Sequence, residues 1–203
     1  ETLQRFRLAA QGHGPVQPPE GERERVARYF DPLPFWYEPL EGAALAASAA
    51  RDAGAGFPLH AITQRPMFMY HAWGAQNRWL RQIAARNVLY VHPDMAARAG
   101  LAEGDWAWLS SHIGRIRVAV ALHAGVQRDT VWTWNAIGKR RGSWGLAADA
   151  PESTRGFLLN HLVSDLLPGA GTGANADPIT GQASWFDLRV RLERCEDQHD
   201  GQS

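Results

Sequence analysis

Short segments with the composition or the alternating pattern of β-strands recur along the chain after residue 56. They are "FPLHAIT", "NVLYV", "HIGRIRVAVAL", "DTVWTWN" and "WFDLRVRLE". With the strand that follows a tight turn at Glu103, Gly104 and Asp105, they predict at least six short strands. In "HIGRIRVAVAL", Gly114 is expected to turn the chain into a hairpin. Because a barrel leaves no sheet edge exposed, this pattern favours a closed β-barrel in a mainly β protein with short helices.

Two short helices are predicted between the strands. In "WLRQIAA", the apolar residues Trp79, Leu80 and Ile83 recur at helical spacing. A second helix is expected over residues 93–99, with Pro93 in its first turn, where its missing N–H has no cost.

The first 56 residues have a different composition. Prolines and aromatic residues alternate with charge in "GPVQPPEGERERVARYFDPLPFWYEPLEG", and an alanine-rich run follows. The proline density predicts an extended strap or linker rather than a packed domain. Phe35, Trp36 and Tyr37 are expected to be buried against a partner or a neighbouring domain. The predicted division is a strap over residues 1–56, a barrel domain over 57–192 and a polar tail over 193–203.

Composition limits the function classes. The chain has 203 residues, enough for one domain with an appendage, and its 21 Lys and Arg balance its 21 Asp and Glu. Nucleic acid is therefore not an expected partner, because no overall positive field would attract it. The single cysteine, Cys195, has no second thiol, and the histidines lack metal-site spacing, so no metal site is expected in this chain. No apolar run reaches the roughly 20 residues that cross a bilayer, so direct membrane insertion is not expected.

Two segments carry candidate chemistry. Residues 62–83, "ITQRPMFMYHAWGAQNRWLRQI", combine aromatic, amide, guanidinium and imidazole groups. The loop-rich segment between the last two strands contains "GKRRG", in which Lys139, Arg140 and Arg141 lie between glycines. Backbone amides and positive charge there can bind an anion, but the run also fits a solvated surface turn.

The ordered series "ITQR…HAWGAQNRWL", "LYVHPDMAARAGLAEGDWAWLSSHIGRIRVAVAL", "VWTWNAIGKR", "LNHL" and "DPITGQASWFDLRV" resembles a known family. It is similar to the C-terminal dinucleotide-binding domain of molybdopterin oxidoreductases of the dimethyl sulfoxide reductase superfamily. The resemblance covers Phe57 to about Leu192. It implies a double-psi β-barrel that closes as a lid over bis(molybdopterin guanine dinucleotide) with molybdenum or tungsten, a cofactor held mostly by the preceding domains.

The resemblance also implies which residues contact the cofactor. Hydroxyl, amide and guanidinium donors suit pyrophosphate and guanine, and flat side chains suit a planar heterocycle. The residues implied are Thr63, Gln64, Arg65, Met69, Tyr70, His71, Trp73, Gln76, Asn77, Asn135, Asn160, Gln182 and Phe186. His71 and Arg140 are candidates for the funnel that leads to the metal.

Several of these residues have an alternative interpretation. Gln76 and Asn77 resemble a pair found in members acting on sulfur compounds, but Asn is also a good helix cap. His71 is either a cofactor or proton-relay residue or a hydrogen-bonded core residue. Phe186 stands where the family usually has lysine, so Gln182 or Arg189 is a possible substitute for that charge contact.

"FDPLPFWYEP", "TQRPMFMYHAWGAQN" and "VWTWNAIGKR" look most like catalytic subunits of the polysulfide, thiosulfate and tetrathionate reductase branch, and within it the quinone-linked sulfite dehydrogenases. The resemblance implies two-electron chemistry on a sulfur oxyanion. The implied partners are the remainder of the molybdenum catalytic subunit, an iron–sulfur electron-transfer subunit that carries the clusters, and indirectly a membrane anchor.

The metal ligand, the cluster cysteines and most of the dinucleotide pocket are missing from this sequence. The chain alone is therefore not expected to be catalytic. A cytoplasmic location is expected from the resemblance, with the periplasm left open. Two alternatives stand beside this function: the same superfamily acting on formate or nitrate, and a stand-alone double-psi barrel that binds protein.

Overall fold

The fold is a closed barrel of six strands. The computed structural model describes residues 1–47, 56–74, 77–84, 86–135, 137, 156–169, 173–184 and 187–195. The strands are β1 (Leu59–Gln64), β2 (Leu89–Val91), β3 (Trp106–Ser111), β4 (Gly114–Leu122), β5 (Thr130–Trp134) and β6 (Arg189–Arg194). They close in the order β1-β5-β2-β4-β3-β6, which confirms the predicted barrel.

The described residues also form short helices. They are α1 (Thr2–Ala10), α2 (Arg23–Tyr29), α3 (Leu40–Ala47), α4 (Arg78–Ile83) and α5 (Pro93–Arg98), with 3-10 turns at Glu20–Glu22, His71–Gly74 and Leu159–Leu162. Both helices predicted between the strands are present, and proline begins α5 as expected. No helix in the described part of the chain is both long enough and apolar enough to cross a membrane.

The strand connections are crossed rather than sequential. β1 pairs with β5 in parallel and β2 pairs with β4 in parallel, while the other four pairings are antiparallel. Parallel pairs require a crossover between their ends. The two crossovers are consistent with the expected double-psi arrangement.

Side chains that alternate along β4 fill the barrel. Ile116, Val118 and Val120 are buried in the core. On the other face, the guanidinium carbon of Arg115, directly before Ile116, lies 4.4 Å from the ring centre of Trp108 on β3. The period-two pattern of the sequence thus separates an apolar inner face from a cationic and aromatic outer face.

The hairpin turn lies earlier than predicted. Ser111 pairs with Gly114 in the β3–β4 register, so His112 and Ile113 form the loop and Gly114 is the first residue of β4. The prediction that Gly114 turns the chain is therefore wrong, because a two-residue loop already closes this hairpin. The turn before β3 is as predicted, with Gly104 at a φ of 83° that suits glycine.

The last strand also differs from its prediction. β6 runs from Arg189 to Arg194, two residues into the predicted tail, and the buried Cys195 donates its backbone N–H to the Trp106 carbonyl at 3.1 Å. Trp185 and Phe186 lie outside the described residues. The three-part division of the chain otherwise stays a prediction.

The N-terminal segment is helical rather than extended. Its prolines lie between α1, α2 and α3, and the helices occupy the proline-free runs. The prediction of an extended strap is wrong for these runs because proline excludes a helix only near its own position. Trp36 is 79% exposed, so its expected burial against a partner stays a prediction. Tyr37 donates to Asp177 Oδ2 at 2.9 Å, and burial raises the Tyr37 pKa to about 12.

A buried carboxylate attaches α3 to the barrel. Glu41 is 0% exposed and accepts hydrogen bonds from the Arg189 backbone N–H at 3.0 Å and the Asn175 amide at 3.3 Å. His112 Nδ1 lies 3.8 Å from Glu41 Oε1. Burial raises the pKa of Glu41 and lowers the pKa of His112, because desolvation disfavours the charged form of both groups.

Glu41→Gln is expected to change how stability depends on pH. The folded state raises the Glu41 pKa above its ordinary 4.5, so its contribution to stability is present below pH 4.5 and is lost as pH rises through the folded pKa. The free energy of unfolding of the variant minus that of the wild type should therefore increase with pH above 4.5. Urea unfolding at several pH values measures this difference.

The exposed Glu193→Gln substitution on β6 is the matched control, since it removes the same charge at the surface. His112 and Asp187 also titrate near Glu41, and they remain in both proteins, so their effects largely cancel in the difference. If the free energy of unfolding of Glu41→Gln minus that of the wild type did not change with pH, the raised pKa of Glu41 would be contradicted.

Candidate cofactor-binding site

One end of the barrel brings together site residues that are far apart in the sequence. β1 and β5 run parallel and their register ends with Gln64 opposite Trp134. The next residue, Asn135, donates its backbone N–H to the Gln64 carbonyl at 2.9 Å. We call this end of the barrel the Gln64–Asn135 edge. The chain that leaves both strands, beginning at Arg65 and Asn135, starts from this one edge.

The Leu159–Leu162 turn reaches the same end of the barrel. Leu89 of β2 pairs with both Thr133 and Val120, and β4 begins six residues before Val120. The β3–β4 hairpin therefore projects past the start of β2, toward the end of β5. Ser111 Oγ beside this hairpin donates to the Leu162 carbonyl at 2.8 Å. Asn160, in the Leu159–Leu162 turn, therefore lies toward the same end of the barrel, and its contact with the cofactor stays a prediction.

The side chain of Asn135 has an unfilled hydrogen-bonding position. Its Oδ1 atom is buried and has no hydrogen-bond partner among the described residues. A buried acceptor without a partner costs about 1–3 kcal/mol. A ligand that carries N–H groups would remove that cost, and a pterin or guanine ring carries such donors.

The loop after β1 exposes cationic and aromatic groups next to β5, the strand that precedes Asn135. Arg65 is exposed, and Tyr70 and Trp73 are also exposed, Trp73 at 78%. Large aromatic side chains open to solvent indicate a surface that another group covers. Together with the exposed Gln64, they offer the donors and flat faces that a dinucleotide requires.

His71 has an unusual backbone conformation. Its φ of 49° makes it the one residue other than glycine with a positive φ in the described segments. Such a conformation costs about 1 kcal/mol or more and persists only where the surroundings impose it. His71 is exposed, so the alternative that it is a core residue is wrong. Its roles toward the cofactor and the funnel stay predictions.

Met69 supports this loop from inside. It is buried, and a Cβ placed on Gly74 would lie 3.2 Å from Met69 Cγ and 2.8 Å from Leu80 Cδ1. Gly74 therefore allows the loop to approach α4 closely. A direct contact between Met69 and the cofactor stays a prediction.

Asn77 caps α4. Its Oδ1 accepts hydrogen bonds from the backbone N–H groups of Trp79 at 2.9 Å and Leu80 at 3.4 Å. The structural alternative for Asn77 is therefore confirmed, and a cofactor contact through its amide nitrogen stays a prediction. Gln76 lies outside the described residues.

Asn77→Asp and Asn77→Ala separate the two roles of Asn77. Aspartate also caps helices, whereas alanine loses the cap at about 1 kcal/mol. If capping is the main role, the Asp variant should match the wild type in thermal stability and cofactor content, and the Ala variant should be less stable. Thermal melting and pterin content measure both. Equal cofactor loss in the two variants, with the Asp variant as stable as the wild type, would instead indicate a lost amide contact.

The other predicted site residues lie in several places. Thr63 is buried on β1, one residue before the edge. Gln182 is exposed in a loop closed by the Asp177 N–H donating to its carbonyl at 2.6 Å. Arg140 and Phe186 are outside the described residues. No cluster of three or more His, Cys, Asp or Glu able to hold a metal occurs in the parts of the chain that the structure describes.

Sequence reasoning missed two buried polar residues near this end of the barrel. They are Glu41 and Asn87, which are both almost inaccessible to solvent. Asn87 donates from Nδ2 to the Trp134 carbonyl at 2.9 Å. The available signal was an asparagine directly before the apolar run "VLYV", where a strand residue would ordinarily be apolar or β-branched.

The closed barrel presents amide, guanidinium and aromatic groups at one end, and such groups suit a dinucleotide cofactor. The chain matches the family described as "Molydopterin dinucleotide binding domain" over residues 59–178, and it belongs to that family. This match confirms the predicted family, the barrel fold and the class of cofactor.

Two relatives show the range of the family. The chain is 52% identical over 200 residues to a sulfite dehydrogenase subunit of Allochromatium vinosum, covering 97% of this chain and 20% of that protein. It is 28% identical over 101 residues to the thiosulfate reductase molybdopterin-containing subunit of Salmonella typhimurium, covering 50% of this chain and 13% of that protein. The chain thus spans about a fifth or less of the length of these relatives.

A solved structure supports the fold. Acetylene hydratase from Pelobacter acetylenicus superposes with a TM-score of 0.61 at 20% sequence identity, covering 81% of this chain and 22% of that chain. At this level of identity the likeness concerns the fold alone.

Proposed function

We propose that this chain is the cofactor-binding lid domain of a molybdenum oxidoreductase that acts on a sulfur oxyanion, with sulfite the first substrate to test. The observation that carries the proposal is the buried Asn135 Oδ1 without a partner in the described residues, beside the exposed Arg65 and Gln64. The 52% identity to a protein named as a sulfite dehydrogenase subunit supports the choice of substrate.

Each group at the edge has a binding task in this proposal. Arg65 binds phosphate or guanine oxygens, because its planar guanidinium matches paired oxygen acceptors. Asn135 accepts a hydrogen bond from a ring N–H through its buried Oδ1. Tyr70 and Trp73 cover a flat ring and exclude water from it.

The cofactor supplies the oxygen-atom and two-electron chemistry at its molybdenum, and the protein positions it. The residues of this chain therefore bind, orient and shield, and the chain by itself is not catalytic. In this proposal His71 lies at the entrance of the funnel that leads to the metal. We also propose that the cofactor is the guanine dinucleotide form, with two copies bound to each metal ion.

The rest of the enzyme lies outside this chain, which spans 20% of its sulfite dehydrogenase relative. The remainder of the catalytic subunit supplies the metal ligand, and an iron–sulfur subunit carries electrons toward a membrane anchor. The cytoplasmic location stays a prediction.

The test is to purify the native protein that contains this chain and assay it for molybdenum, pterin and reduction of an electron-acceptor dye. The proposal expects stoichiometric pterin and dye reduction that depends on sulfite. Dye reduction by formate, or nitrate consumption, without any response to sulfite would favour the alternative substrates. A pure protein without pterin or molybdenum would favour a protein-binding module instead.

A further inference from the structure

A buried amide group stands directly behind the Gln64–Asn135 edge. Asn87 is 1% exposed and lies two residues before β2. Its Nδ2 donates to the Trp134 carbonyl at 2.9 Å, and its Oδ1 accepts from the Val88 N–H at 3.1 Å. The Thr133 hydroxyl also lies 3.0 Å from Oδ1, and its one hydrogen is shared with the Val88 carbonyl at 2.9 Å. Both ends of the side-chain amide are thus hydrogen-bonded.

Asn87 extends a strand pairing beyond the point where the backbone stops pairing. The β2–β5 register begins with Leu89 opposite Thr133. Continued by two residues, the same register would place Asn87 opposite Asn135. The side-chain amide of Asn87 donates to the Trp134 carbonyl of β5. In a continued strand pairing, a backbone N–H would make this hydrogen bond instead.

The peptide group between Trp134 and Asn135 is consequently held on both sides. Asn87 Nδ2 donates to its carbonyl, and its N–H donates to the Gln64 carbonyl at 2.9 Å. Two opposed hydrogen bonds restrict rotation of a peptide plane about the strand axis. The direction in which the Asn135 side chain leaves β5 is therefore fixed before any ligand binds.

We infer that Asn87 is a positioning residue for the dinucleotide site, and this inference rests on the proposed function. Asn87 holds the Trp134–Asn135 peptide so that the buried Asn135 Oδ1 faces the ligand. Without the Asn87 donor, the Trp134 carbonyl keeps only the distant Thr133 hydroxyl at 3.5 Å, and the peptide plane is restrained mainly from the Gln64 side. The Asn135 side chain is then wrongly oriented for the ligand. Asn87 affects ligand binding in this way without contacting the ligand.

The test measures how fast the enzyme loses its pterin. Asn87→Asp keeps the size of the side chain but replaces the donating NH2 with an acceptor that faces the Trp134 carbonyl. In the native full-length enzyme, pterin released after dilution is followed by the fluorescence of its oxidised form. Release from the Asp variant should be about tenfold faster than from the wild type.

Two further variants separate positioning from a general loss of stability. Val91→Ala creates a core defect at the other end of the same strand and should release pterin at the wild-type rate when its melting temperature falls by a similar amount. Asn135→Ala should release pterin quickly, and Asn87→Asp combined with Asn135→Ala should release it no faster than Asn135→Ala alone. Such non-additivity is expected only if Asn87 acts through Asn135.

The outcomes distinguish this inference from the proposed function. A wild-type enzyme without pterin would overturn the proposed function and the inference together. Fast release from Asn135→Ala with wild-type release from Asn87→Asp would overturn the inference alone. Equal release rates in Asn87→Asp and Val91→Ala at equal melting temperature would also overturn it, because both would then reflect a loosened barrel.

Discussion

Arg65→Ala is expected to weaken dinucleotide binding by the enzyme about tenfold to a hundredfold. Arg65 is exposed directly after β1, where its guanidinium is available to a phosphate or guanine oxygen. A charge-assisted hydrogen bond of this kind contributes about 1.5–3 kcal/mol. Pterin and molybdenum per mole of purified enzyme, measured before and after extensive dilution, report the loss.

Two further substitutions show whether the loss in Arg65→Ala is specific to this guanidinium. Arg128→Ala removes an exposed guanidinium paired with Asp94, just before β5 begins and so at the other end of that strand. It should keep the wild-type cofactor content. Arg65→Lys keeps the charge without the planar fork, and its binding should be intermediate. Full cofactor retention by Arg65→Ala would show that the dinucleotide does not contact this residue.

Leu89→Ala is expected to lower the free energy of unfolding by about 2–5 kcal/mol. Leu89 is 0% exposed and belongs to the barrel core. It lies on a three-residue strand that pairs with β4 on one side and β5 on the other. Truncating it removes buried methyl groups and leaves a cavity that the surrounding strands fill poorly. Urea unfolding followed by tryptophan fluorescence measures the change.

Leu122→Ala is the matched control for Leu89. Leu122 ends β4 and its side chain is exposed, so the same substitution should cost less than about 1 kcal/mol. A loss at Leu89 as small as the one expected at Leu122 would mean that β2 does not lie at the centre of a packed barrel.

The barrel could be predicted because the residues of its inner face recur at every second position of a strand. Ile116, Val118 and Val120 alternate with residues that face outward, and this period of two is visible in the sequence alone. The helices α1, α2 and α3 were missed because proline content was averaged over the whole segment. The proline-free runs before and between the prolines are long enough for about two helical turns each.

The site could be predicted only in part. Arg65, Tyr70 and Trp73 lie in one exposed loop, so a contiguous motif in the sequence could name them together as candidates, and their contact with the cofactor stays a prediction. Asn87 bonds to a carbonyl 47 positions away, and Glu41 of α3 accepts from a backbone N–H 148 positions away. Contacts of that separation leave no periodic signal, because they depend on which strands become neighbours.

Asn77 shows a different limit of sequence reasoning. Capping a helix and contacting a ligand both favour asparagine, so its identity could not separate the two roles. The position of its Oδ1 next to the Trp79 and Leu80 N–H groups identifies the capping role, which depends on local backbone geometry.

An electron cryo-microscopy map of the native enzyme that contains this chain would show where the dinucleotide lies. We expect density for a molybdopterin dinucleotide at the Gln64–Asn135 edge, with a ring N–H within hydrogen-bonding distance of Asn135 Oδ1 and an oxygen within reach of Arg65. A bound dinucleotide that makes no contact with this edge, or a protein surface covering the edge in its place, would contradict this expectation.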